Sequence, residues 1–291
     1  MKRRQFVKNS LLGLAAMTSL KDLKKLSDTF LSHEGKMPVL FVGHGNPMNA
    51  IEENEFSKKW QTLGAELPKS TAILCISAHW ETRGTFVTAM EKPQTIHDFG
   101  GFPQELFDVQ YPAPGKPELA EEVKNEIKKT NVGLNEDWGL DHGCWSVIKR
   151  MYPDAKTPVL QLSLDYTKPA QWHYDLAKEL SPLRKKGVLI VGSGNMVHNL
   201  GMVNWRNLNG PGYDWAIEMN EKFKKLISEN NHKDLINYSS FGAAGKLAIP
   251  SPEHYLPLLY TLALKEEKEN VSFFNDKTLA GSLSMTSVKT Q

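Results

Sequence analysis

Apolar residues along this chain fall into short unbroken runs, separated by longer stretches where they recur every three or four positions. The runs are Pro38–Val42, Thr71–Ser77, Pro158–Leu164 and Val188–Val191. Strands covered on both faces look like this, because neither side of the pleat meets water. Between the first two runs, Ile51, Phe56, Trp60 and Leu63 predict a helix over 51–67 that stops at Pro68. Helices are likewise expected over 118–129, 146–151, 170–183 and 213–230, and from 236 to about 241. A last helix is expected to open at Ser251-Pro252, with Ser251 as its cap and Pro252 in its first turn. Residues 84–90, 271–274 and 283–287 complete the expected strands. Strand alternating with helix predicts an α/β fold, with a mostly parallel central sheet flanked by helices in a single domain over 36–291. Segment 91–117 has no periodicity and carries Pro93, Gly100, Gly101, Pro103, Pro112, Pro114 and Pro117, so it is expected to be a long loop. Loops of that length commonly serve function, and this one, with His97-Asp98-Phe99, is expected to be a lid or pocket wall.

The runs end alike. The first stops at Gly43-His44-Gly45-Asn46-Pro47, the second at Ala78-His79-Trp80, and the fourth passes through Gly192-Ser193-Gly194-Asn195 to His198. In α/β sheets, ligands gather beyond the carboxyl ends of the strands. One histidine there is ordinarily a turn residue; three at separate strand ends, with His254 at the start of the last helix, point to a metal site. Neutral imidazole suits iron, zinc, copper or nickel and not calcium or magnesium. His142, in the turn 138–145, is a fifth candidate, as a general acid or base or a substrate contact. His33, His173 and His232 are expected at the surface. Gly43 and Gly45 are expected to let a ligand approach the backbone. Gly192-Ser193-Gly194-Asn195 lacks the third glycine of a dinucleotide fingerprint and is expected to make room for substrate or for the His198 backbone. Asn46 suits a substrate contact or a turn, and Trp80, Phe99 and Trp145 suit a ring pocket or the core.

Composition narrows the function. Hydrophobic residues make up 40% and charged residues 23%, the balance of a soluble globular protein. The net charge of +2 comes with no basic stripe, which argues against a nucleic-acid partner. Cys75 and Cys144 are too few for a thiolate metal site or a disulfide framework, whereas nine histidines favour imidazole ligands. At the start, Arg3-Arg4 and Lys8 precede the apolar stretch 9–20, which is too short to span a bilayer. The order resembles a twin-arginine export signal, so residues 1 to about 35 are expected to be a leader and linker. The alternative is a basic amphipathic start to a first helix. Export predicts a periplasmic protein with no stable membrane insertion once the signal is gone; a non-functional signal predicts a cytoplasmic one.

The motifs GHGNP around His44, SAHW around His79, HDFGGFP around His97, LDHGCW around His142, GSGNMVHN around His198 and SPEHYLPL around His254 resemble the class III (LigB-type) extradiol ring-cleaving dioxygenases. The nearest branch is the 4,5-DOPA dioxygenase-like group, and the likeness runs from residue 37 onward. The resemblance implies an α/β fold with one divalent metal, Fe(II) for ring cleavage and zinc in some members, and a small-molecule catechol and O2 as partners. It implies His44 and His79 as metal ligands. His198 matches a position that is an acid/base histidine in part of the family and a metal ligand in this branch. His142 resembles an acid/base position. The broader family takes a carboxylate ligand from near the C-terminus; here that position offers Glu253 or His254, and the branch suggests His254. An all-histidine set also suits a catalytic zinc ion, so the alternative is a zinc-dependent hydrolase at the same site. A third reading is an exported metal- or catechol-binding protein without turnover.

Overall fold

The computed structural model describes residues 35–291; Arg3, Arg4, the apolar stretch and His33 lie outside the described residues. Residues 37–291 make one compact unit. Its centre is a six-stranded sheet of β1 (Val39–Gly43), β2 (Ala72–Ser77), β3 (Val159–Gln161), β4 (Val188–Gly194), β5 (Val271–Phe274) and β6 (Ser287–Thr290). The spatial order is β3-β2-β4-β1-β6-β5. The first four strands in that order are parallel. The other two close one side as antiparallel strands. This is the mostly parallel sheet that the apolar runs predict.

Each central strand feeds two cores. Val39 and Phe41, Leu74 and Ile76, and Val188 and Ile190 point into one apolar cluster. Their neighbours Leu40 and Val42, Ile73 and Cys75, and Leu189 and Val191 point into the other. That is the period of two expected of a pleated strand, with both faces dry. The first cluster is covered by α2 (Pro117–Glu126), α4 (Ala170–Lys178), α5 (Asp214–Ser228) and α6 (Leu256–Leu264). The second is covered by α1 (Glu55–Glu66) and α3 (His142–Met151).

Several boundaries move for local reasons. α1 starts at Glu55 because Asn54 and Ser57 form a reciprocal capping box, while Pro47–Ala50 forms a separate 3-10 turn. The stretch expected as one helix over 170–183 is two, with a break before Ser181-Pro182, since proline cannot donate within a helix. The last helix begins at Leu256, with Pro257 in its first turn. Ser251 caps nothing; its hydroxyl donates to Glu253. The run 158–164 also divides, β3 joining the main sheet and Leu164–Asp165 pairing with Glu81–Thr82. Residues 85–88 pair with Val132–Asn135 outside the main sheet.

His173 departs from the expected surface position: it is fully buried in α4. Its Nε2 lies 3.2 Å from the Asp165 carbonyl oxygen and its Nδ1 3.0 Å from the Tyr260 hydroxyl. The carbonyl can only accept, so Nε2 carries the proton and Nδ1 accepts from Tyr260. Burial pushes the ring down to about 4. Its folded value therefore sits below the unfolded one near 6.5, and the unfolded chain binds the extra proton between them. The neutral ring's contribution is complete above about pH 6.5 and is lost as pH falls to about 4, a change of roughly 3 kcal/mol. His173→Gln should remove that share. Denaturant unfolding of both proteins at pH 7 and pH 4.5 should show the smaller loss on acidification in the variant; equal losses would contradict this reading.

Candidate metal centre

The site is set by where three parallel strands stop. Gly43 of β1 pairs with Gly194 of β4, and Ser77 of β2 pairs with Ser193. The ladder continues one step on each side, His44 N–H donating to Gly194 O at 3.1 Å and Ala78 N–H to Ser193 O at 2.9 Å. His44 and His79 thus leave the sheet at one level on either side of β4, and their Nε2 atoms meet at 3.2 Å. The His254 segment crosses the end of β4: Asn195 N–H donates to His254 O at 2.9 Å. A Cβ on Gly194 would stand 2.1 Å from that same oxygen, so the crossing requires glycine here. The room that Gly192 and Gly194 make at the end of β4 is taken by this segment, His254 to Pro257, and not by substrate or the His198 backbone. Gly43 and Gly45 likewise make room for Met285 rather than for a ligand.

His142 lies not in a turn ahead of a helix from 146 but at the first position of α3, capped by Asp141. Asp141 Oδ1 accepts from Cys144 N–H at 3.0 Å and from the Ser77 hydroxyl at 2.6 Å, while Oδ2 accepts from Gln161 Nε2 at 2.6 Å. Burial pushes this carboxyl up, and the donors from Ser77 and Gln161 oppose that. One carboxylate thus fastens the start of α3 to β2 and β3.

Five imidazoles come together. Ring centroids lie 5.0 Å apart for His44 and His79, 5.2 Å for His44 and His254, and 5.0 Å for His79 and His254. His142 lies 3.9 Å from His79, and His198 stacks on His254 at 3.5 Å. Ligand atoms of His44, His79 and His142 form one group within 4.8 Å of each other, and those of His198, Glu253 and His254 another.

Hydrogen bonds assign the free nitrogens. The Ser193 hydroxyl donates to Gly143 O at 2.6 Å, so from His44 Nδ1, 3.0 Å away, it must accept. Nδ1 of His44 then carries the proton and Nε2 the lone pair. His254 Nδ1 faces Glu253 Oε1 at 3.1 Å, and His142 Nδ1 faces Asp98 Oδ2 at 2.9 Å, each leaving Nε2 open. His79 Nδ1 stands 3.6 Å from the same Asp98 oxygen.

Protons are disfavoured on His44, His79, His198 and His254. Burial first, then repulsion from neighbouring imidazoles, holds His44 and His254 well below the ordinary range. Burial and His142 take His79 down to about 3 against the pull of Asp98. Burial takes His198 to about 4 despite Glu253. Two donors about 2.1 Å from one ion lie roughly 3.0–3.4 Å apart. The 3.2 Å gap between the two Nε2 atoms therefore fits a single metal ion.

The remaining candidates have other partners. Asn46 caps the 3-10 turn by accepting from Met48 N–H at 2.9 Å. Trp80 is buried and stacks on Trp138, and Trp145 is fully buried. Phe99 sits edge-on to His142 at 5.5 Å and walls the site. His232, expected at the surface, is half-buried, with Nδ1 2.8 Å from the Tyr174 hydroxyl. The sequence does not reveal Asp98 and Ser193 as polar partners of the histidines, or Asp141 as the anchor of α3. Only Asp141 carried a signal, an acidic residue directly before a helix.

The family described as "Catalytic LigB subunit of aromatic ring-opening dioxygenase" matches residues 29–282. A 4,5-DOPA dioxygenase extradiol of Escherichia coli K12 is 48% identical over 87% of this chain and 94% of its own length. The protein of that name from Beta vulgaris is 33% identical over 89% of this chain and 98% of its own. The crystal structure of an uncharacterised Escherichia coli K12 protein has a TM-score of 0.76 at 43% identity, covering 87% of this chain and 99% of that one. Fold, imidazole cluster and relatives together define an extradiol-type aromatic ring-opening dioxygenase. The chain belongs to the LigB family.

Ser193→Ala tests the site's construction. It leaves the Gly143 carbonyl without its donor and His44 Nδ1 without its acceptor. The expected result is a loss of roughly 10–100-fold in metal affinity, with a stability cost of about 1–3 kcal/mol in metal-free protein. Competition against a chelator, with thermal unfolding in parallel, measures both; unchanged metal affinity would refute the assignment of the His44 proton.

Proposed function

We propose that this chain opens a catechol ring beside its diol, using O2 and one non-haem Fe(II) ion held by His44, His79 and His254. His198 stands at or beside the ion, and His142 moves a proton. The observation that carries this is the 3.2 Å approach of the His44 and His79 Nε2 atoms, with the outer nitrogen of His44 tied to an acceptor. Catechol cleavage comes to this chain from relatives named for 4,5-DOPA, with a DOPA-like diol as the substrate class. When bound, the ion would hold the diol and O2 side by side and pass electron density between them.

The protein's own part is positional. His142 Nε2 is open to take a hydroxyl proton, because Nδ1 is engaged by Asp98. Phe99 lies edge-on to that ring and screens it from water on one side. Glu253 stands behind His254 at 3.1 Å, which supports His254 as the ligand and the carboxylate as its outer partner. Glu253→Gln should then cost about tenfold in metal affinity, far less than loss of a ligand.

A zinc hydrolase would use the same imidazoles. Metal analysis of anaerobically purified protein, followed by O2 uptake on a panel of catechols, separates the two. The expected result is iron-dependent uptake with a ring-opened product. His44→Ala should lose metal and activity together, and His142→Ala should keep metal and lose kcat by roughly 10²-fold. Zinc with no uptake on any catechol would end the dioxygenase reading.

Residues 1 to about 35 complete the proposal as a twin-arginine-type export signal that delivers the folded protein to the periplasm. Replacing Arg3 and Arg4 together by lysine in the native host should stop export. Continued export of the double variant would remove this part.

A further inference from the structure

Asp98 stands between two of the site's histidines, His142 and His79. It accepts from His142 N–H at 2.8 Å through Oδ1 and faces His142 Nδ1 at 2.9 Å through Oδ2. The same oxygen lies 3.6 Å from His79 Nδ1. Its side chain is 18% exposed. The loop around it is fixed: Ile96 N–H donates to Leu140 O at 2.8 Å, and Leu140 N–H to Gln94 O at 2.8 Å. Trp145 Nε1 donates to Ile96 O at 2.8 Å, and His97 Nε2 lies 3.0 Å from Val109 O. The chain leading into Asp98 is therefore held, and the grip of Asp98 on His142 joins the long loop to the start of α3.

The two contacts act differently. The bond from the main chain fixes where α3 begins relative to the loop. The bond at the ring fixes both the rotation of the imidazole and which nitrogen carries the proton. A carboxylate accepts and cannot donate, so the proton must sit on Nδ1 and the lone pair on Nε2. Resting on the function proposed above, we infer that Asp98 is a positioning residue that holds His142 with an unprotonated Nε2 toward the substrate. In the proton step, the substrate O–H bond breaks and an N–H bond forms at Nε2. The ring's positive charge is then offset by the Asp98 carboxylate, which keeps its own electrons and takes no proton. The 3.6 Å approach to His79 is beyond hydrogen-bond distance, so the effect falls on His142 and not on metal retention.

Asp98→Asn is the informative change, because it keeps the shape and lets the amide donate to Nδ1, moving the ring proton to Nε2. The same change at the acid behind a catalytic histidine costs about 10⁴ in kcat in a serine protease. Here kcat on the best catechol should fall by roughly 10²–10⁴-fold, with KM within about threefold and with metal content and melting temperature unchanged. Asp98→Glu should recover at least about tenfold of that loss, since it restores an acceptor. A readout independent of turnover is the nitrogen-15 NMR spectrum of metal-free protein, with His142 assigned by its own substitution. The wild-type ring should carry its proton on Nδ1 and the asparagine variant on Nε2. An unchanged tautomer, a kcat within about threefold of wild type, or metal lost along with activity would each overturn the inference. A wild type that opens no catechol would instead overturn the proposed function, and the tautomer measurement would still decide the role of Asp98.

Discussion

Everything at the site depends on the common level at which β1, β4 and β2 end. Parallel strands are held by evenly spaced bonds, so the register of Gly43 with Gly194 and of Ser77 with Ser193 leaves no freedom in where the next residues emerge. A slip by one residue would turn His44 and His79 to the other face of the sheet and exchange the two cores. That slip is blocked by the apolar residues on both faces, all of them buried. The burial that stabilises the sheet is therefore also what places the Nε2 atoms 3.2 Å apart. Ser193 adds a lateral tie: one hydroxyl on β4 bonds His44 on one side and the Gly143 carbonyl of α3 on the other.

The electrostatics follow from the same geometry. Four imidazoles packed together, His44 and His254 buried and His79 and His198 half-buried, cannot all hold protons, because each charge would lose much of its water and face the others. They are neutral donors, and neutral donors leave a bound dication uncompensated. The negative charges stand one step behind. Glu253 lies behind His254 and Asp98 behind His142, with its carboxyl held below the usual range: burial raises it, and the bonds from His142 outweigh that. Carboxylates at that remove make the imidazoles more basic and fix their orientation without occupying a coordination position. Open positions are what the proposed ring cleavage requires.

The strand ends and the five histidines were legible because both are local. An apolar run and the residue that follows it are neighbours in the chain, and burial on both faces leaves an unmistakable composition. The partners of those histidines were not legible. Asp98 sits in a proline-rich loop without periodicity, 44 residues from His142, and Ser193 lies 149 residues from His44. Nothing in local spacing encodes such pairs. The glycines beside His44 and at the end of β4 are legible as space, but what fills that space is Met285 and the His254 carbonyl, again distant chain. His173 was misplaced because a single polar residue on a helix is a surface residue by default. Its burial is possible only because Tyr260 and the Asp165 carbonyl satisfy both ring nitrogens.

The histidines also divide by what anchors them, and that division bears on their roles. His44 and His79 follow the central strands directly, so they move only if the sheet moves. His142 opens a helix whose Cys144, Trp145 and Val147 pack into one core. Met196 and Val197 before His198, and Tyr255 and Leu256 after His254, pack into the other. The site therefore sits at the edge where both cores end, with one imidazole drawn from one layer and two from the other. A metal site needs donors of fixed separation, and the sheet supplies that pair. A proton carrier needs a defined direction and tolerates small displacements, and a helix start gripped by a loop carboxylate supplies that. The rigid elements thus carry the pair best suited to coordination, and the joint between loop and helix carries the histidine best suited to proton transfer.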